Sequence, residues 1–190
     1  LNDRRKARRE TITHRCRMAA DIVNKSDDTW VVWCDLNDES KMLSDMIKDS
    51  VEIKGTHKSE YKEKNMIAFS NNEIKALVTK PKIAGLGMNW QNCHNQIFVG
   101  LSDSYEQYYQ AVRRCWRFGQ TEQVNVYIVY SEKEGAVVEN IRRKEQIHDE
   151  MFTSMVNSMQ PITGKNIRSE SIKKEYNPKV KIKLPGRVKK

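Results

Sequence analysis

The sequence predicts an α/β domain, with a central, mainly parallel β-sheet covered by helices on both faces. Two observations carry this. Between residues 29 and 156, short apolar runs alternate with segments of helical spacing. The runs are apolar on consecutive residues, Trp30-Val31-Val32-Trp33-Cys34 being the plainest. Strands read that way when both faces of a parallel sheet are buried.

Taken in order, residues 4–25 are expected to be helical. Ile12, Cys16, Ala19, Ala20 and Val23 recur at helical spacing, and Arg4, Arg5, Arg8, Arg9 and Arg15 coat the start. Trp30–Cys34 is the first strand and stops at Asp35. Residues 38–48 return to helical spacing through Met42, Leu43, Met46 and Ile47. A brief strand over 51–53 is closed by Gly55, and 59–69 is a charged helix ending in Ile67, Ala68 and Phe69. Residues 75–79 form the next strand. A loop through Gly85 and Gly87 leads to a strand over 96–100. Ser104 with Gln107 fits a capping box that opens a helix over 105–117. Residues 123–130 alternate towards a last strand. Ser131 with Glu134 is a second capping box, opening a long helix that carries Val137, Ile141, His148, Met151, Phe152 and Met155 on its apolar face. The pattern stops after Gln160-Pro161. Gly164, Pro178, Pro185 and the lysines predict a flexible tail over 161–190.

Composition bounds the function. The chain has 190 residues, 38% hydrophobic and 31% charged, which suits one domain with a real core. No run approaches the ~20 apolar residues of a membrane span. The start, Leu1-Asn2-Asp3-Arg4-Arg5-Lys6, has no apolar stretch behind it and is no secretory signal. It lacks Met and enters a helical pattern at once, as expected of a piece of a longer polypeptide. Cys16, Cys34, Cys93 and Cys115 form no CxxC pair, and Cys93-His94 has no second ligand pair nearby. The expectation is reduced thiols, no metal and a cytoplasmic protein. The net charge of +9 is uneven. Residues 157–190 hold ten Lys/Arg against Glu170 and Glu175, residues 1–25 carry +5, and 26–156 carry −4. Basic ends suit a polyanion.

The informative segment is Gln110-Ala-Val-Arg113-Arg114-Cys-Trp116-Arg117-Phe-Gly119-Gln120. On a helix, Gln110, Arg114 and Arg117 project from one face, with Arg113 beside them. Guanidiniums crowded in this way call for an anion or carboxylate, and their planar forks suit phosphate oxygens. The competing reading is a helix whose arginines pair with nearby acids.

This segment resembles motif VI of the Swi/Snf-type branch of superfamily-two helicases, Gln-Ala-x-x-Arg-x-x-Arg-x-Gly-Gln, at every fixed position. The resemblance implies that Arg114 and Arg117 are arginine fingers, reaching the phosphates of ATP held on a first lobe, with Gln110 organising the same cleft. Leu77-Val78-Thr79 followed by Ala84-Gly85-Leu86-Gly87-Met88-Asn89 is similar to motif V of that branch. It implies nucleotide contacts at Gly85, Gly87 and Asn89 and a nucleic-acid contact at Thr79. Here the stretch from Thr79 to Ala84 is longer than the family's. Trp30 to Asn37 resembles motif IV, which implies that Asp35 and Asn37 meet the nucleic-acid backbone. Gly55-Thr56 is similar to a short phosphate-contacting turn, and Trp90 is a further candidate contact. Tyr105, Tyr108 and Tyr109 read as packing residues and His148 as a core-edge histidine. For Trp116, packing and base- or ribose-stacking both stand.

The resemblance implies a RecA-like (P-loop NTPase-like) lobe over 29–156. A basic helix over 1–28 would link it to the missing first lobe, and a basic tail would follow over 157–190. It would be the second motor lobe of an ATP-dependent DNA helicase or translocase. Its partners would be nucleic acid, DNA in preference to RNA, and the first lobe of the same polypeptide, with no membrane. The cofactor would be ATP, with Mg2+ held by that first lobe. The chain contains no Gly-x-x-x-x-Gly-Lys-Ser/Thr and no Asp-Glu-x-His box, so it is expected to be inactive alone. The alternative is a non-catalytic nucleic-acid-binding module that keeps the fold. A dinucleotide-type enzyme fits poorly, because it needs Gly-x-Gly-x-x-Gly at the first strand–helix turn and Asp35-Leu36-Asn37-Asp38 has no glycine.

Overall fold

The computed structural model describes residues 9–84 and 88–168. The elements are α1 (Ile12–Asn24), β1 (Trp30–Cys34), α2 (Asn37–Met46), β2 (Ser50–Ile53), α3 (Ser59–Ser70), β3 (Ala76–Thr79) and α4 (Pro81–Ala84). They continue with β4 (Asn95–Val99), α5 (Tyr105–Val112), β5 (Asn125–Val129), a 3-10 turn (Glu132–Glu134) and α6 (Gly135–Arg168). The five strands form one sheet in the order β2-β3-β1-β4-β5, every neighbour parallel. This is the predicted α/β, RecA-like lobe. Residues through His148 make one compact body and those from Asp149 a second.

Burial explains the continuous apolar runs. Every residue of β1, β3 and β4, the three inner strands, is buried, whereas the edge strands β2 and β5 are half-covered. Alternate residues serve opposite faces. Val31, Trp33, Leu77 and Phe98 pack with Met66 and Phe69 of α3, Ala111 of α5 and Val137, Val138 and Ile141 of α6. Trp30, Val32, Val78 and Ile97 pack with Ile12, Cys16, Ala19 and Val23 of α1 and Leu43 of α2. Both side-chain sets of one strand are therefore apolar, which erases the period-2 signature of a half-exposed sheet. All four cysteines are buried and unbridged. Burial pushes the thiols of Cys16 and Cys34 up to about 12.

Four sequence expectations change. Arg15 does not coat α1 but is 1% exposed. Its guanidinium lies 2.8 Å from Glu39 and 3.5 Å from Glu134, and its Nε donates to the Thr11 hydroxyl. Glu39 also accepts the backbone N–H groups of Asp35 and Leu36, and Glu134 accepts the N–H and hydroxyl of Ser131, so both carboxylates cap helix starts. Secondly, the helix predicted over 105–117 stops at Val112. Thirdly, the stretch after Thr79 is not all loop. Pro81 opens the helical turn α4, closed by Ile83 and Ala84 N–H groups on the Lys80 carbonyl. Finally, α6 continues through Pro161 and Gly164 to Arg168. Met151, Phe152 and Met155, expected on an apolar face, are 66%, 57% and 50% exposed. Periodicity stops reporting where a helix has no buried face to report.

Candidate functional site

The parallel order places the candidate residues at two edges of the sheet. Ile53, Thr79 and Trp33 stand side by side near the carboxyl ends of β2, β3 and β1. The next residues of each chain segment, Gly55-Thr56, Lys80 and Asp35, emerge along that edge. Gly55, Thr56 and Asn37 line this side with Asp35, which is half-buried. Asp35, Lys80, Lys82, Ser102 and Gln107 line a depression there, over Trp33 and Phe98. Crevices at the carboxyl ends of parallel strands are where such sheets bind ligands. Thr79 is not free to contact one. It is fully buried and its hydroxyl donates to the Ile53 carbonyl at 3.1 Å, which the inner position of β3 requires.

The arginines lie at the opposite edge. Helix α5 runs back against the strands, so its end and the turn that follows meet the segment leading into β4. Gln96 at the start of β4 ties these parts together. Its Nε2 donates to the Val112 carbonyl at 3.1 Å, and its Oε1 accepts the Trp33 indole N–H at 2.8 Å. At Val112 the helix tightens. The N–H of Arg114 bonds to Ala111 and that of Cys115 to Val112, a three-residue step. The reason is visible at Arg114, whose Nε donates to the Gln110 carbonyl at 3.2 Å and takes the acceptor that an α-helical Arg114 N–H would use. Its Nη1 donates to the Met88 carbonyl at 3.1 Å, and the Trp90 N–H donates to the Arg114 carbonyl at 2.8 Å. Residues 88–90 and the turn are thus stitched together, although 26 residues separate Met88 from Arg114.

Gln120 closes the turn. Its amide donates to the carbonyls of Gln91 at 3.0 Å, Cys93 at 3.2 Å and Cys115 at 3.4 Å. Gly119 sits at φ +93°, a conformation L side chains rarely adopt, and the Gln91 amide holds the preceding Phe118 carbonyl. Tyr109, Gln110, Arg113, Arg114 and Arg117 then line one open depression. Arg117 is exposed, Gln110 and Arg114 are half-buried, and the Gln110 amide donates to Glu106 at 3.1 Å. Burial, and then the neighbouring Arg117 charge, lower the affinity of the Arg114 guanidinium for its proton. An incoming polyanion would relieve that crowding. Two of the five Arg114 N–H donors serve backbone carbonyls here, which leaves three for a ligand. Arg113 lies over the Trp116 ring, 5.0 Å from its centroid.

Gln110, Arg114, Arg117 and the exposed Asn89 are therefore gathered at one edge, and Asp35, Asn37, Gly55 and Thr56 at the other. Gly85 and Gly87 lie outside the described residues. Trp90, a sequence candidate for nucleic-acid contact, is fully buried against Trp33 and Phe69, so no face of its ring is open to a strand. Tyr105, Tyr108 and Tyr109 pack as expected, two of them against His148 at the core edge. Sequence reasoning missed Arg15 and Gln96 as organising polar groups. Arg15 shares a helical face with Ile12, Cys16 and Ala19, which was the available signal. Among the described residues no group of side chains could hold a metal ion, and no helix is long and apolar enough to cross a membrane.

The sequence pattern of the helicase conserved C-terminal domain matches residues 14–119. Comparison with curated proteins gives no match. Among solved structures, the chain is similar to the C-terminal part of the Fun30 ATPase domain, with a TM-score of 0.56 and 19% identity, covering 63% of this chain and 41% of that one. It is also similar to a DEAD box protein from the hyperthermophile Methanococcus jannaschii, with a TM-score of 0.61 and 18% identity, covering 70% of this chain and 37% of that one. The chain thus spans well under half the length of either structure.

Proposed function

The chain belongs to the helicase conserved C-terminal domain family, and from that premise we propose that it is the second motor lobe of an ATP-dependent DNA translocase or helicase of Swi/Snf type. One observation carries the reading. Three guanidiniums and an amide converge on an open depression whose backbone is fixed in advance by Gln120, Arg114 and Gly119. Such preorganised donors stabilise charge on a transferring phosphoryl group without reorganisation during the reaction. ATP, with Mg2+ held by the first lobe, supplies the phosphoryl group to be transferred.

The two arginines divide the work. Arg117 is exposed and reaches across to the phosphates. Arg114 keeps its stem on the Gln110 and Met88 carbonyls and presents its remaining donors, so it both contacts the phosphates and holds residues 88–90. Asp35, Asn37, Gly55 and Thr56, with Lys80 and Lys82, face the nucleic-acid backbone at the far edge.

In the full-length protein, Arg117→Ala should lower kcat for nucleic-acid-stimulated ATP hydrolysis by at least ~10²-fold, about 2.7 kcal/mol of barrier. The fold should stay intact, because an exposed guanidinium adds little stability. Lys should restore activity only in part, lacking the planar fork. Arg114→Ala should lower both kcat and the unfolding midpoint. Normal hydrolysis in both alanine variants would show that the arginines serve only the fold. Stimulation by duplex DNA rather than by RNA tests the substrate class, and greater stimulation by RNA overturns it.

A further inference from the structure

Among the described residues, Phe118 is the most exposed of the large apolar side chains, at 98%, whereas the next, Met151, stands at 66%. A phenylalanine ring is among the side chains that gain most from burial, yet a fixed turn holds this one out in water. Arg117 to Gln120 is a β-turn, closed by the Gln120 N–H on the Arg117 carbonyl at 3.0 Å. Gly119, the third residue, has φ +93° while φ at Phe118 is negative, so the turn is of type II with Phe118 at its outer corner. The Gln91 amide holds the Phe118 carbonyl, and a side chain at Gly119 would come within 2.9 Å of that amide. Gln120 ties the far end of the turn to the carbonyls of Gln91 and Cys93. The backbone under the ring is therefore set before any partner arrives. Trp116 differs, because the Arg113 guanidinium lies over its ring.

The surroundings say what covers Phe118. It directly follows Arg117, with Cα atoms about 3.8 Å apart, so a surface that receives the Arg117 guanidinium also approaches the ring. Arg113, Arg114 and Arg117 line the depression beside it. A second copy of the chain would bring two such cationic clusters face to face across a two-fold contact. The candidate nucleic-acid contacts, Asp35, Asn37, Gly55 and Thr56, lie at the opposite edge of the sheet. We propose that Phe118 is an anchor for the first lobe: when the two lobes close on the nucleotide, an apolar recess beside the phosphates receives the ring. The proposal rests on the reading of Arg117 as a phosphate ligand and adds the contact that sets it in place. Phe118 touches no reacting atom and is a positioning residue. Its burial removes water from around Arg117, which strengthens the attraction between the guanidinium and the phosphates. The ring is covered only in the closed state and so favours that state. A turn fixed in advance keeps the ordering cost of docking low.

The test uses the full-length protein with saturating duplex DNA. Phe118→Ala should lower kcat for ATP hydrolysis about tenfold, as loss of one buried ring in the closed state would. Phe118→Leu should recover most of the rate, because an apolar recess accepts either side chain. The unfolding midpoint should hold in both variants, since the ring is exposed within this lobe. Small-angle X-ray scattering with ADP and aluminium fluoride reads closure directly: the parent should compact, and Phe118→Ala should stay nearer its nucleotide-free size. A kcat for Phe118→Ala within about twofold of the parent, or equal compaction of the two, overturns the anchor. So does a loss of DNA affinity with kcat retained at saturation, which assigns the ring to nucleic acid, or a parent dimer that Phe118→Ala dissociates. Failure of the phosphate reading looks different: Arg117→Ala would keep the parental kcat while Phe118→Ala lowers it.

Discussion

Arg15 shows how much a single residue can settle. It joins α1 to Glu39 at the start of α2 and to Glu134 just before α6, three elements far apart in the chain. Both carboxylates also cap helix starts, so the cluster is held by directional bonds as well as by charge. Arg15→Met should destabilise the domain by about 3–5 kcal/mol, since it leaves two buried carboxylates without their cation. Arg15→Lys should recover part of this, one ammonium being a poorer bridge than a guanidinium fork. Urea denaturation of the two variants measures it, and a loss below ~1 kcal/mol for Arg15→Met would mean that water or a rearranged side chain replaces the guanidinium.

At the scale of elements, the turn after α5 matters more than the helix. A continuous α-helix through residue 117 would point Gln110, Arg114 and Arg117 along one face, but would leave the Met88 carbonyl without the bond it accepts from Arg114. The observed turn costs regular helical bonds and gains ties to residues 88–93, made by Arg114 and Gln120. Gln120→Glu is the sharp test, because it keeps the shape and removes the donors, turning a carboxylate towards three carbonyl oxygens. We expect destabilisation of about 1–3 kcal/mol and a fall in kcat through displaced arginines. A variant as stable and as active as the parent would show that Gly119 and the Gln91 amide hold the turn unaided.

For the whole molecule, charge and fold act on different partners. The middle of the chain, residues 26–156, carries −4, while residues 169–190, beyond the described ones, hold eight Lys/Arg against Glu170 and Glu175. Deleting 169–190 from the full-length protein should weaken DNA binding at low salt. It should also flatten the salt dependence by about 0.9 for every DNA phosphate that those lysines and Arg187 neutralise in the parent. An identical slope after deletion would assign the basic segment to something other than DNA. The Arg117→Ala variant should keep the parental slope, since its defect falls on hydrolysis.

The α/β class, the order of strands and helices and the arginine segment were legible in the sequence, because each leaves a local trace. A strand buried on both faces is apolar at every position, as β1 is, and a capping carboxylate sits three residues past the residue it caps, as Glu134 does after Ser131. The gathering of Gln110, Arg114 and Arg117 was legible too, though for a helix that ends earlier than its spacing suggests. Only tertiary structure decided what satisfies each polar group. Thr79 and Trp90 are exposed or buried according to neighbours far along the chain, and the β2-β3-β1-β4-β5 order puts both inside. The same order sets Asp35 and Thr56 at one edge and the arginines at the other. No local pattern encodes that separation, because the hydrogen bonds that fix it, from Arg114 to Met88 and from Gln120 to Cys93, close only when distant segments meet.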